Sequence, residues 1–140
     1  MKTILFVDDN KNIRLFCEQE FCEEGYRVLV ARDGNEAVRV FQEGTPDLAV
    51  LDLWMPTGHG LDALERIKAI APEVPVILFT SNDELCVRDR RSRLATACVE
   101  KSADLTELKR VVMMTLQAQT KGANFRLGLP PASCEATVNS

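Results

Sequence analysis

The chain holds a single histidine, a single tryptophan and a single tyrosine, and its five cysteines are scattered with no CxxC pair among them. A structural zinc site takes four suitably spaced nitrogen or sulfur ligands, so this pattern argues against one. Free thiols in a reducing compartment are the expectation for Cys17, Cys22, Cys86, Cys98 and Cys134. Positive charge is in short supply: 17 Lys and Arg face 21 Asp and Glu, for a formal net charge of −4. A phosphate backbone rewards a basic stripe, so no nucleic-acid partner is expected. Long apolar runs are missing too, since none nears the roughly 20 residues that a membrane-spanning helix needs. Ile4–Val7 is too short for a secretory core and runs straight into Asp8 and Asp9. These absences lead to the expectation of a cytoplasmic protein with no membrane partner. The dinucleotide fingerprint GxGxxG is lacking after the first apolar run.

What is present is a hydrophobic pattern that changes period repeatedly. Ile4–Val7, Val28–Ala31, Leu48–Leu51 and Val76–Phe79 are short continuous apolar runs, the signature of strands buried on both faces. A weaker run, Ala97–Glu100, reads as a fifth strand. Amphipathic stretches lie between and after these runs. Asn10 caps a helix in which Ile13, Phe16, Cys17 and Phe21 recur at helical spacing, and Gly25 stops it. Asp33-Gly34 reads as a turn leading to Ala37, Val38 and Phe41 in a helix that ends at Gly44. After a loop over Trp54–Gly60, Leu61, Leu64, Ile67 and Ile70 mark the third helix. A polar helix over about 83–94 and a last helix over about 103–119 complete the set.

Strands alternating with helices imply an α/β fold with a parallel sheet covered on both faces. The 140 residues suit one domain, expected over 1–120, with a mobile tail over 121–140. In that tail Phe125, Leu127 and Leu129 offer a short apolar docking segment. The run Arg88, Arg90, Arg91 and Arg93 reads as a solvated helix face.

Ligands of open α/β sheets sit outside the carboxyl ends of the strands. At those ends lie Asp8 and Asp9, Asp52, Thr80 and Lys101. Bare carboxylates crowded together repel one another, and a hard divalent cation such as Mg²⁺ relieves that conflict. A carboxylate can attack phosphorus to form an aspartyl-phosphate, in a reaction carried by positioning and electrostatics. Lys101 is a compact charge suited to a phosphoryl oxygen, and the Thr80 hydroxyl can donate to another.

Asp8-Asp9, Asp52 with Met55-Pro56 and Gly60 behind it, Thr80 and Lys101 resemble the signature of response-regulator receiver domains, over about residues 1–119. The resemblance implies a flavodoxin-like (βα)5 fold, a doubly wound five-stranded sheet of strand order 2-1-3-4-5. It also implies Mg²⁺ held by Asp9, Asp52 and the Trp54 carbonyl, with Asp8 acting through a metal-bound water. Asp52 would be the phosphoacceptor, and Thr80 and Lys101 would contact the phosphoryl group. The donor would be a histidine kinase or a histidine phosphotransfer protein. The output would be a phosphorylation-dependent surface read by a further protein, from a monomer or weak homodimer. Catalysis would be limited to self-catalysed phosphoryl transfer and autodephosphorylation.

Two departures qualify this. Where the family usually has an aromatic residue three before the lysine, this chain has Cys98, expected to be a small buried thiol, so an aromatic rotamer switch cannot operate there. That keeps open a phosphorylation-independent interaction module built on the same fold. The other departure is Ser102 in place of the proline that often follows the lysine. An aspartate-nucleophile phosphatase of the haloacid-dehalogenase kind is disfavoured, because the second Asp it needs two residues after the nucleophile is Trp54 here.

Overall fold

The computed structural model describes residues 1–55, 58–81, 90–101 and 104–122. Five parallel strands form the central sheet: β1 (Thr3–Val7), β2 (Arg27–Ala31), β3 (Leu48–Leu51), β4 (Val76–Thr80) and β5 (Ala97–Glu100). Their order is β2-β1-β3-β4-β5, the flavodoxin-like order expected. Among the described residues four α-helices flank it: α1 (Lys11–Glu23), α2 (Gly34–Glu43), α3 (Gly60–Ile70) and α4 (Thr106–Gly122).

The strand sequences explain their places. In the three inner strands 13 of 14 residues are buried, the exception being Thr3, whereas the edge strands β2 and β5 are largely exposed or half-exposed. An inner strand has helices over both faces, so both sides of its pleat must be apolar. Its alternate residues then feed two separate cores. Leu5, Val7, Ala49, Leu51, Val76 and Leu78 join Phe41 of α2 and Leu61, Leu64 and Ile67 of α3. Ile4, Phe6, Leu48, Val50, Ile77 and Phe79 join Cys17 and Phe21 of α1 and Leu108, Val112 and Leu116 of α4. Each fully buried Leu, Ile or Phe contributes roughly 1.5–3 kcal/mol of transfer free energy, so both layers are strongly held to the sheet.

Local chemistry sets the helix ends. The Asn10 side chain accepts from the backbone N–H groups of Asn12 (2.9 Å) and Ile13 (3.1 Å), and Gly25, at φ +95°, ends α1 as expected. Asp33 caps α2 through the Glu36 N–H at 2.9 Å, while Glu36 accepts from the Arg32 N–H. Beyond the end of α3 the Lys68 ammonium donates to the carbonyls of Pro72 and Val74, tying down the turn that leads to β4.

Three expectations are corrected. The segment after Asp52 is not simply a loop: Trp54–Met55 and Gly58–His59 form a two-residue antiparallel ladder that turns the chain into α3. The end of the Arg-rich segment is a 3₁₀ helix (Arg90–Leu94), not an α-helix. Its closing bond runs from the Ala95 N–H to Ser92 O, a three-residue step that suits one short turn. Arg91 there is not a free surface charge, since its guanidinium reaches Asp62 (2.6 Å) and Glu65 (3.4 Å) of α3. Finally, Cys98 is exposed and disulfide-bonded, not a small buried thiol. On an edge strand only Val99 of the four residues is buried, so the pleat leaves Cys98 outside the core. Cys17 and Cys22 are free thiols, in line with expectation. Residues 83–89, Ser102 and the tail from Ala123 lie outside the described residues.

Candidate functional site

Strand register builds the site. Val7 pairs with Leu51, so the next residues, Asp8 and Asp52, leave the sheet side by side; the Asp52 N–H donates to Val7 O at 2.9 Å. Leu51 pairs with Leu78, and Thr80 with Glu100, which carries Thr80 and Lys101 to the same edge. The Lys101 N–H donates to Thr80 O at 2.8 Å, fixing the base of the lysine. Parallel pairing thus brings together residues 93 positions apart.

Carboxylate oxygens of Asp8, Asp9 and Asp52 all lie within 4.8 Å of one another. Asp8 and Asp52 are buried and Asp9 is exposed, so the cluster has two anchored anions and one open to solvent. Lys101 Nζ sits 2.8 Å from Asp8 Oδ2 and 3.5 Å from Asp52 Oδ1. Lys101 thus pairs with two of the three carboxylates, and the clustered carboxylate oxygens are the donors that a hard divalent cation takes. The donor set is all oxygen, which suits Mg²⁺ and not a soft metal. Lys101 also stands 5.8 Å from the Phe79 ring centroid, an apolar backing that keeps its charge directed at the anions. Thr80 is completely buried at the same edge.

Two supporting groups were not identified in the sequence. The Asn10 N–H donates to Asp8 Oδ1 (2.9 Å), and the Arg14 guanidinium donates to the Asp8 carbonyl (2.8 Å). Arg14 is six residues beyond Asp8 and on the first turns of α1, a spacing that becomes meaningful only once the strand-to-helix turn is known. Behind Asp8, burial pushes the Cys17 thiol up to about 12; the Asp8 charge adds to the rise and Lys101 opposes it. That thiol is inert filling, not a nucleophile.

Gly60 packs against the other side of Asp52. Its N–H donates to Leu53 O at 2.8 Å, and a Cβ there would lie 2.1 Å from Asp52 O and 2.8 Å from Leu53 Cα. No other residue type leaves room for α3 to start so close behind Asp52.

A family model described as the response regulator receiver domain matches residues 4–120. The chain belongs to that family. This receiver domain is similar to sporulation initiation phosphotransferase F of Bacillus subtilis, at 32% identity over 110 residues, covering 78% of this chain and 89% of that protein. It is also similar to the regulatory protein AtoC of Escherichia coli, at 32% identity over 124 residues; that match spans 88% of this chain but 27% of AtoC. Among solved structures, the response regulator TrrA of Thermotoga maritima, in complex with Mg²⁺ and BeF, superposes with a TM-score of 0.77 at 38% identity. That match covers 81% of this chain and 98% of TrrA. TrrA in complex with the histidine kinase ThkA matches at a TM-score of 0.75. No helix among the described residues is long and apolar enough to cross a membrane.

Proposed function

We propose that this receiver accepts a phosphoryl group on Asp52, from a phosphohistidine of a kinase or phosphotransfer protein, in a Mg²⁺-dependent reaction. The observation that carries this is the buried Asp52 carboxylate, held between Lys101 and two further aspartates at the carboxyl edge of the sheet. An Asp52 carboxylate oxygen attacks phosphorus as the phosphorus–nitrogen bond to the donor histidine breaks. The electron pair of that bond returns to the imidazole. Hydrolysis later replaces the new phosphorus–oxygen bond with one from water and restores the carboxylate.

Asp9, Asp52 and the Trp54 carbonyl would hold Mg²⁺, with Asp8 reached through a water; when bound, the ion neutralises charge on the transferring group. The residues of the chain do the rest. Lys101 is tethered by the Asp8 carboxylate at 2.8 Å and supplies positive charge beside Asp52, where phosphoryl oxygens arrive. Thr80 brings a hydroxyl donor to the same place. Asn10 and Arg14 fix Asp8, so the anionic cluster is preorganised before any ligand binds.

We read residues 1–120 as the switch domain and the output as protein binding, whether by a carrier in a phosphorelay or by a diffusible regulator. The 89% coverage of sporulation initiation phosphotransferase F supports that reading, and the 27% coverage of AtoC supports the same domain working inside a longer regulator. The test is intact-mass spectrometry after incubation with a small phosphoramidate and Mg²⁺. One phosphoryl adduct is expected in the native protein and none in Asp52→Asn, and Asp9→Asn should demand more Mg²⁺. An adduct that persists in Asp52→Asn would disprove the assignment.

A further inference from the structure

The Lys101 ammonium stands over the ring of Phe79, 5.8 Å from its centroid. Phe79 precedes Thr80 at the end of β4 and pairs in register with Val99, two residues before Lys101. Its ring is 4% exposed and belongs to the core that holds Phe6, Cys17 and Val50. The gap beside it, bounded also by Asp8, Cys17, Val50 and Asp52, is about 10 Å³. That is room for one water at most, so the ring has nowhere to turn. Lys101 is enclosed as well, its side chain only 17% exposed. Its ammonium reaches the Asp8 and Asp52 carboxylates, at 2.8 and 3.5 Å. Those carboxylates are also in the cluster whose oxygens suit a divalent cation.

We propose that Phe79 is a positioning residue for phosphoryl transfer, its ring face holding the Lys101 ammonium beside Asp52 when the carboxylates are committed to metal. This rests on the reading of Asp52 as a Mg²⁺-dependent phosphoacceptor. Without metal, two anions hold the lysine. Carboxylate oxygens given over to a divalent cation attract Lys101 less, and the two cations repel each other. The ring attracts an ammonium through its quadrupole and offers no oxygen to a metal, so this contact stays in place when the others weaken. An aliphatic side chain at position 79 would fill the core but present no negative face. A cation–π contact near the outer limit of about 6 Å, yet shielded from water, is worth about threefold to tenfold in rate. Strand pairing makes the contact dependable. The Lys101 N–H donates to Thr80 O at 2.8 Å, so the base of the lysine and the ring ride on the same pair of strands.

The test uses the full chain, with Phe79 replaced by Leu, by 4-fluorophenylalanine and by pentafluorophenylalanine. The fluorinated rings keep the shape of Phe79 while progressively removing the negative charge of its face, so they separate positioning from packing. At saturating Mg²⁺ with a small phosphoramidate, adduct formation on the intact protein should slow slightly in the 4-fluoro form. It should slow about threefold to tenfold in the pentafluoro and Leu forms. In a Lys101→Met background, Phe79→Leu should cost nothing further, because the contact is already gone. A second readout needs no phosphodonor. The ε-methylene protons of Lys101, assigned by their loss in Lys101→Met, should lie upfield in the native protein through the ring current. They should stay there at saturating Mg²⁺ and move to the position of exposed lysines in Phe79→Leu. A native rate in the pentafluoro form would overturn the proposal, as would an equal loss from Phe79→Leu with and without Lys101. So would Lys101 protons that move to the exposed-lysine position when Mg²⁺ is added to the native protein. If the native protein takes no adduct, the Asp52 reading fails, and the resonance alone upholds or overturns the role of Phe79.

Discussion

Gly60→Ala is the sharpest test of how Asp52, the proposed acceptor, is positioned. The added Cβ would stand 2.1 Å from the Asp52 carbonyl oxygen, about 1.3 Å short of ordinary contact, and 2.8 Å from Leu53 Cα. Neither neighbour is the end of a flexible side chain that can swing aside. Both belong to the backbone that leaves β3, which is pinned by the Asp52 N–H bond to Val7 O. Relief must come from moving α3 away or from displacing Asp52. Overpacking of this kind costs about 1–3 kcal/mol, and the rigid surroundings place it near 3. With a urea slope of about 2 kcal/mol/M, the unfolding midpoint should fall by about 1.5 M. A displacement of about 1 Å at a reacting group costs roughly 100-fold in rate, so phosphorylation by a small phosphodonor should slow by that order in protein that remains folded. The control is Gly44→Ala, where an added Cβ meets nothing within 4 Å and the backbone is extended, and stability should hold or rise by about 0.5 kcal/mol. An unchanged midpoint in Gly60→Ala would refute the packing argument. A lowered midpoint with native phosphorylation kinetics would refute the positioning argument alone.

Lys101→Met removes the cation that competes for the acidic cluster, so Mg²⁺ should bind more tightly, read from the fluorescence of the single tryptophan, Trp54. Phosphoryl transfer in the same variant should drop by about 100-fold, and tighter metal binding without that loss would count against a transfer role for the lysine. Maleimide without reductant should label the exposed Cys22 quickly and leave Cys98 unlabelled, whereas prior reduction of the disulfide should open Cys98 to the reagent. Alkaline pH should destabilise the fold through Cys17. Its folded pKa of about 12 lies above the ordinary 9.0, so between those values the unfolded chain sheds a proton that the fold retains, and stability falls as pH rises. Cys17→Ala should flatten that arm of a pH–stability profile. Asn10→Ala should cost about 1 kcal/mol by thermal or urea unfolding, since two N–H groups of α1 lose their acceptor.

The strand runs and most helix starts were legible from the residues because burial imposes strict patterns. A strand covered on both faces must be apolar throughout, as Leu48–Leu51 is, and an Asn or Asp before an amphipathic stretch caps it, as Asn10 does. The acidic cluster was legible too, since strand ends in a parallel sheet converge, and the register confirms that Asp8 and Asp52 leave neighbouring strands at one level. The state of Cys98 was not legible, because an edge strand has one unpaired side and its pattern does not say which residues the core takes. The same holds for Arg91: its charge is local, but its partners Asp62 and Glu65 lie 29 and 26 residues away and meet it only through the packing of the 3₁₀ turn on α3.

The sequence by itself determined the alternation of strands and helices and the residue types at the sheet's carboxyl edge, because both follow from local periodicity and from where an apolar run stops. Only the tertiary structure decided how those residues face one another. The 2.8 Å tether of Lys101 to Asp8, the Arg14 contact beneath it and the close approach of Gly60 to the Asp52 carbonyl are distances between separate elements. They are fixed by strand register and helix packing, which no local pattern encodes.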